Sequence, residues 1–170
     1  MTNLSLSQNM ITEKTENIKN FIYLEARLAD EKRYHEWLQL FSEDCVYWIP
    51  TWRDDMETIT DTQNELSIIH LDYLALKDYV VRLSLGISPT MTPPPRINRY
   101  ITNVIVNNKT GESIQVLCNW LMHDYRQGNQ QFYGGDCEYH IREVGDEYKI
   151  VSKKVRVFND RATNGHLMLL

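Results

Sequence analysis

Five histidines (His35, His70, His123, His140, His166) and three cysteines (Cys45, Cys118, Cys137) are the side chains here best suited to metal or acid–base chemistry. Their spacing forms no His-x-x-x-His pair, no Cys-x-His box and no Cys-x-x-Cys clip, so neither a metal centre nor a redox motif is indicated. No Gly-x-Ser-x-Gly elbow and no Gly-x-Gly-x-x-Gly phosphate loop occurs either. What remains is an acid–base set of Glu25, Asp30, His70 and His123 with Tyr34 and Tyr47, the kind a pocket isomerase or dehydratase uses. Each has a plainer reading. Asp30 stands where one helix gives way to the next and is suited to capping, and the tyrosines read as partly buried aromatics. His123 and His140 fall on neighbouring strand segments, where they could meet in space.

Charge and stiffness point elsewhere. Pro93-Pro94-Pro95 leads into Arg96 and Arg99, two guanidinium groups on a rigid backbone suited to pairing carboxylates, within this chain or across an interface. Residues 43–65 hold seven acids (Glu43, Asp44, Asp54, Asp55, Glu57, Asp61, Glu65) against the one Arg53, while Lys149, Lys153, Lys154, Arg156 and Arg161 make the last stretch basic. Such asymmetry orients a partner protein where it is not simply a solvated surface. The closing Leu167-Met168-Leu169-Leu170 is apolar and is expected to be buried, in this chain's core or in a neighbour.

These groups need a scaffold. Residues 1–14 lack periodicity and read as a flexible tail, leaving 15–170 as a single domain. Ile18, Phe21, Ile22, Leu28 and Ala29 then recur at helical spacing. Glu25 shares that apolar stripe and needs a buried partner, most simply an arginine. Tyr34, Trp37, Leu38 and Phe41 mark a second helix stopped by residues 42–44, followed by a strand over 45–50 and an acidic loop over 51–65. A short strand at 66–71 precedes a third helix over 73–85 that ends at Gly86. Four strands follow the prolines, near 97–107, 113–126, 131–144 and 147–159, with turn-formers between them. On the second of these Ile114, Val116, Cys118, Trp120 and Met122 share one face. Three helices and then an antiparallel meander predict an α+β fold: a curved, cone-like sheet with the helices in its concavity.

Composition narrows the partners. The 170 residues are 42% hydrophobic and 24% charged, enough for a sizeable core, and the net charge of −5 argues against nucleic acid. The polar N-terminus and the want of an 18-residue apolar run argue against a membrane, and the unpaired cysteines fit a reducing cytoplasm.

The residues also resemble a family. Tyr23-Leu24-Glu25-Ala26-Arg27-Leu28, Glu36-Trp37-Leu38, Cys45-Val46-Tyr47-Trp48-Ile49-Pro50-Thr51-Trp52-Arg53-Asp54-Asp55, Glu65-Leu66-Ser67-Ile68-Ile69, the Pro93–Arg96 turn leading to Thr102-Asn103-Val104, and the closing segment occur in the order seen in small (beta) subunits of aromatic-ring-hydroxylating dioxygenases. The benzoate and anthranilate branch is the most similar; Arg99 stands where many relatives carry a histidine. The resemblance implies a cone like that of nuclear transport factor 2, a trimer of this chain, and an α3β3 assembly with a large subunit. That large subunit would carry the Rieske 2Fe-2S cluster and the mononuclear Fe(II), fed by an NAD(P)H-dependent reductase. The reaction implied is conversion of an aromatic acid to a cis-dihydrodiol. This chain would supply no catalytic, cofactor-binding or metal residue. Its expected contribution is interface: Arg96, Arg99, Trp52, Arg53, Asp54, Asp55, Leu167, Met168, Leu169 and Leu170. The competing reading is a free-standing isomerase, dehydratase or ligand-binding protein using the cone's pocket.

Overall fold

The structure, a computed structural model, describes residues 2–54, 56–86 and 93–159, with side chains described over 12–107 and 111–159 of these. Helix α1 spans Thr2–Asp30 and buries Ile18, Phe21, Ile22, Ala26, Leu28 and Ala29 on one stripe. Residues 2–14, expected as a tail, are helical instead. No proline or glycine interrupts them, and adding turns to a helix already fixed by packing is far easier than nucleating one. Lys14 also pairs with Glu143 at 2.7 Å. The helix closes with Lys32 in the left-handed region (φ 58): Arg33 N–H donates to Leu28 O and Lys32 N–H to Ala29 O, the Schellman pattern.

Helix α2, Tyr34–Gln39, buries Trp37 and Leu38. Phe41, expected on that helix, opens strand β1 (Phe41–Ile49). Its helical spacing is overridden by pairing, since Ile150 N–H donates to Leu40 O and Phe41 lies opposite Ile150. The ring still reaches the core, 4.5 Å from Trp37. Strand β2 (Ile69–Asp72) runs straight into helix α3 (Tyr73–Ser84), where the Asp72 carboxylate accepts Ala75 N–H at 2.8 Å as an N-cap. Gly86 follows with φ +63, a backbone state glycine enters at little cost.

Strands β3 (Arg96–Thr110), β4 (Ser113–Arg126), β5 (Asn129–Val144) and β6 (Glu147–Val157) form the expected antiparallel meander. The sheet order is β2-β1-β6-β5-β4-β3. One pairing departs from the antiparallel expectation: β1 lies parallel to β6. The crossing through α3 and the meander returns β6 beside β1 in the same direction. Register shifts in β3 near Asn103 (φ 52), in β5–β6 near His140 and in β1–β6 curl the sheet. Its concave face carries Ile114, Val116, Cys118, Trp120 and Met122, all buried against the helices. At Gly135 the chains approach so closely that an added Cβ would lie 1.9 Å from Arg156 O.

Candidate assembly surface

Among the described residues, the concave face, where a pocket enzyme keeps its acid–base groups, is packed into the hydrophobic core. Glu25 on α1 is 2% exposed, yet its carboxylate is satisfied: Trp37 Nε1 and Lys153 Nζ each donate to Oε1 at 2.7 Å, and Tyr139 O–H donates to Oε2 at 3.2 Å. The partner expected as an arginine is therefore Lys153 of β6. A compact ammonium fits between the Tyr47 and Tyr139 rings, 5.6 and 5.3 Å from their centroids. Burial pushes the Tyr47 and Tyr139 phenols well above their ordinary range, and does the same to the Cys137 thiol. None of these is poised to transfer a proton near neutrality.

The other acid–base candidates do not converge on Glu25. Asp30 accepts both the backbone N–H and the guanidinium of Arg99, tying the end of α1 to β3. Arg99 is mostly buried in that brace. His70 is exposed on β2, edge-on to Trp48 at 6.2 Å. His123 stacks on Phe132 at 4.6 Å on the outer face, between the inward Met122 and Asp124. His123 lies opposite Phe132 and His140 opposite Gln115, so the two histidines are eight residues apart along β5, roughly 27 Å of strand. The pocket reading has no assembled site. Among the described residues no group of three or more His, Cys, Asp or Glu gathers to hold a metal, and no helix is long and apolar enough to cross a membrane.

The outer surface differs. Arg96 lies over the Tyr125 ring at 5.6 Å and lines, with Ile97, Asn98, His123 and Tyr125, an open cavity of about 330 Å³. Around it Tyr100, Leu121 and Phe132 are exposed. Tyr100 lies on β3, Leu121 on β4 between the buried Trp120 and Met122, and Phe132 on β5 beside the buried Tyr133, outward positions where polar side chains are usual on a solvated face. The acidic loop is a built structure. Arg53 donates to both oxygens of Glu65, Asp54 Oδ1 accepts the N–H groups of Met56 and Glu57 at 2.8 Å each, and Asp61 Oδ1 accepts those of Gln63 and Asn64. These N–H groups hold the Asp54 carboxyl below its usual range; the Asn64 side chain first, then backbone N–H groups, do so for Asp61. Trp52 ties the loop down by donating to Val157 O at 2.6 Å, and buried Ile59 anchors it. Asp55, Leu167, Met168, Leu169 and Leu170 lie outside the described residues.

The ring hydroxylating beta subunit family matches residues 24–164. The benzoate 1,2-dioxygenase subunit beta of Acinetobacter baylyi is 33% identical over 150 residues, covering 88% of this chain and 89% of that one. The solved beta subunit of the benzoate 1,2-dioxygenase from Burkholderia mallei superposes with a TM-score of 0.72 at 31% identity, over 91% of this chain and 94% of that one. An NTF2-like protein with a cystatin-like fold from Novosphingobium aromaticivorans, 13% identical with a TM-score of 0.63, covers 100% of this chain and 97% of that chain and shares the fold alone. The chain belongs to the family of beta subunits of aromatic-ring-hydroxylating dioxygenases, the non-catalytic partners of the oxygenase subunit.

Proposed function

We propose that this chain is the assembly subunit of a cytoplasmic α3β3 oxygenase that cis-dihydroxylates a benzoate- or anthranilate-like aromatic acid. Three copies form a base for three large subunits. Those large subunits carry the Rieske 2Fe-2S cluster and the mononuclear Fe(II), and receive electrons from an NAD(P)H-dependent reductase. The observation that carries the assembly role is the buried carboxylate at the centre of the curved sheet: Glu25 is taken up by Lys153, Trp37 and Tyr139, so among the described residues it is not left open to a substrate. The benzoate dioxygenase relatives support the choice of an aromatic acid. The chain's acidic loop and outer aromatic face offer the docking surfaces such a role requires.

The test is co-expression with a large oxygenase subunit from the same organism, followed by native mass and iron analysis. The expected particle holds equal numbers of the two chains, with all iron in the large one, and turns over benzoate or anthranilate with the reductase present. An isolated chain that itself turns over a small molecule, with no iron-bearing partner retained, would overturn the proposal.

A further inference from the structure

Two surfaces of this chain carry complementary features without partners among the described residues. Register on the outer face places Arg96, Tyr125 and Gln130 in one row, Asn98, His123 and Phe132 in the next, and Tyr100, Leu121 and Gly134 in a third. The result is an aromatic floor, with Phe132 53% and Tyr100 50% exposed, and a cation at its rim. Arg96 packs on Tyr125 and has no carboxylate partner among the described residues. The second surface is the 51–68 loop. Met56 and Leu66 stand out from it at 84% and 89% exposure, a poor position for large apolar side chains unless something covers them. Glu57, next to Met56, has no side-chain hydrogen bond or ion pair among the described residues.

We infer that the loop of one copy seats Met56 and Leu66 on the aromatic face of a second copy, bringing Glu57 of the first against Arg96 of the second. The inference rests on the proposed self-association of this chain and names its surface. Charge decides between the ways two copies can meet. Face against the same face would bring Arg96 toward its own symmetry mate, and loop against loop would oppose two acidic surfaces. Face against loop pairs base with acid and apolar with apolar. The topology permits it: the loop leaves β1 and is tied to the end of β6, whereas the aromatic face lies on β3–β5, toward the other edge of the sheet. A head-to-tail contact of this kind closes into a ring when its rotation allows. The loop is already fixed by Arg53–Glu65 and by Asp54 and Asp61, so docking it loses little conformational freedom. The cavity beside Arg96 gives an apolar side chain somewhere to go.

The experiment counts copies of this chain per particle, by native mass spectrometry of the full chain co-expressed with its iron-bearing partner. Wild type is expected to hold three. R96E and E57K are each expected to lower the assembled fraction about tenfold, and the R96E/E57K charge swap to return it to within about twofold of wild type. L66D changes a side chain already in water, so it leaves the fold intact and is expected to lower assembly as well. Single variants that assemble like wild type, or a swap no better than the singles, overturn the named surface and leave the assembly reading standing. If either charge variant fails to fold by circular dichroism, L66D decides, and normal assembly of L66D overturns the surface. A wild-type particle with one copy of this chain removes the assembly reading itself.

Discussion

The interior of the cone and its outer face treat charge in opposite ways. Inside, Glu25 and Lys153 are separated by 128 positions in sequence, yet they pair directly, and Trp37 and Tyr139 also donate to the Glu25 carboxylate. Outside, Arg96 and Glu57 have no ionic partner among the described residues, and Met56, Leu66 and Phe132 are exposed. Desolvation explains the contrast. A buried charge that lacks a partner costs several kcal/mol, which makes the Glu25–Lys153 pairing matter for stability, whereas exposed charges cost little when left open to another surface. The paired interior serves stability, and the outer face is the surface proposed for recognition.

Breaking the interior should cost most. Glu25→Ala strands the Lys153 ammonium and is expected to destabilise the chain by roughly 3–5 kcal/mol in urea unfolding. Pairing it with Lys153→Met should recover part of that loss, because the uncompensated charge is gone. A second strain on the interior is alkaline pH. Burial pushes the Tyr79 phenol up to about 12 and the Cys45 thiol up to about 11, and raises Tyr47, Tyr139 and Cys137 further. Groups raised in the folded state are neutral there while the unfolded chain ionises first. Their stabilisation is whole below about pH 9 and is lost as pH rises toward 12, by about 1.4 kcal/mol per unit of separation for each fully buried group. The unfolding midpoint should therefore be level from pH 7 to 9 and fall steeply above.

Gly135→Ala, which would drive a Cβ into Arg156 O, should cost about 1–3 kcal/mol and loosen the β5–β6 pairing in hydrogen exchange. The outer face should give the smallest effect on the chain alone. Phe132→Ser is expected to change stability by less than about 0.5 kcal/mol while weakening assembly, and a larger loss of stability would erase the contrast between the two regions.

Local patterning carried much of this fold. The alternation from Ile114 to Met122 reads directly as a buried face, and Gly86 reads as the stop of α3 because it acts on neighbouring backbone groups; the Asp72 cap at the other end emerged from the structure. Patterning failed where a distant strand intervened. Phe41 has helical spacing from Trp37, but hydrogen bonding of Leu40 to Ile150 draws it into β1. The site was legible only in part: the sequence singles out Arg96, Trp52, Arg53 and Asp54, yet treats Arg99 alike, although the fold spends it on Asp30.

Residue types and short-range spacing were enough to establish an α+β chain with helices first and strands after, a charged residue on the buried stripe of α1, and the want of metal or nucleophile motifs, because these depend on neighbours within a few positions. Pairing was decided in three dimensions. The identity of the cation beside Glu25, the parallel run of β1 beside β6, and the gathering of Tyr100, Tyr125 and Phe132 on one face all follow from register between strands far apart in the chain. A shift of one residue in that register would turn the aromatic face inward and the core outward.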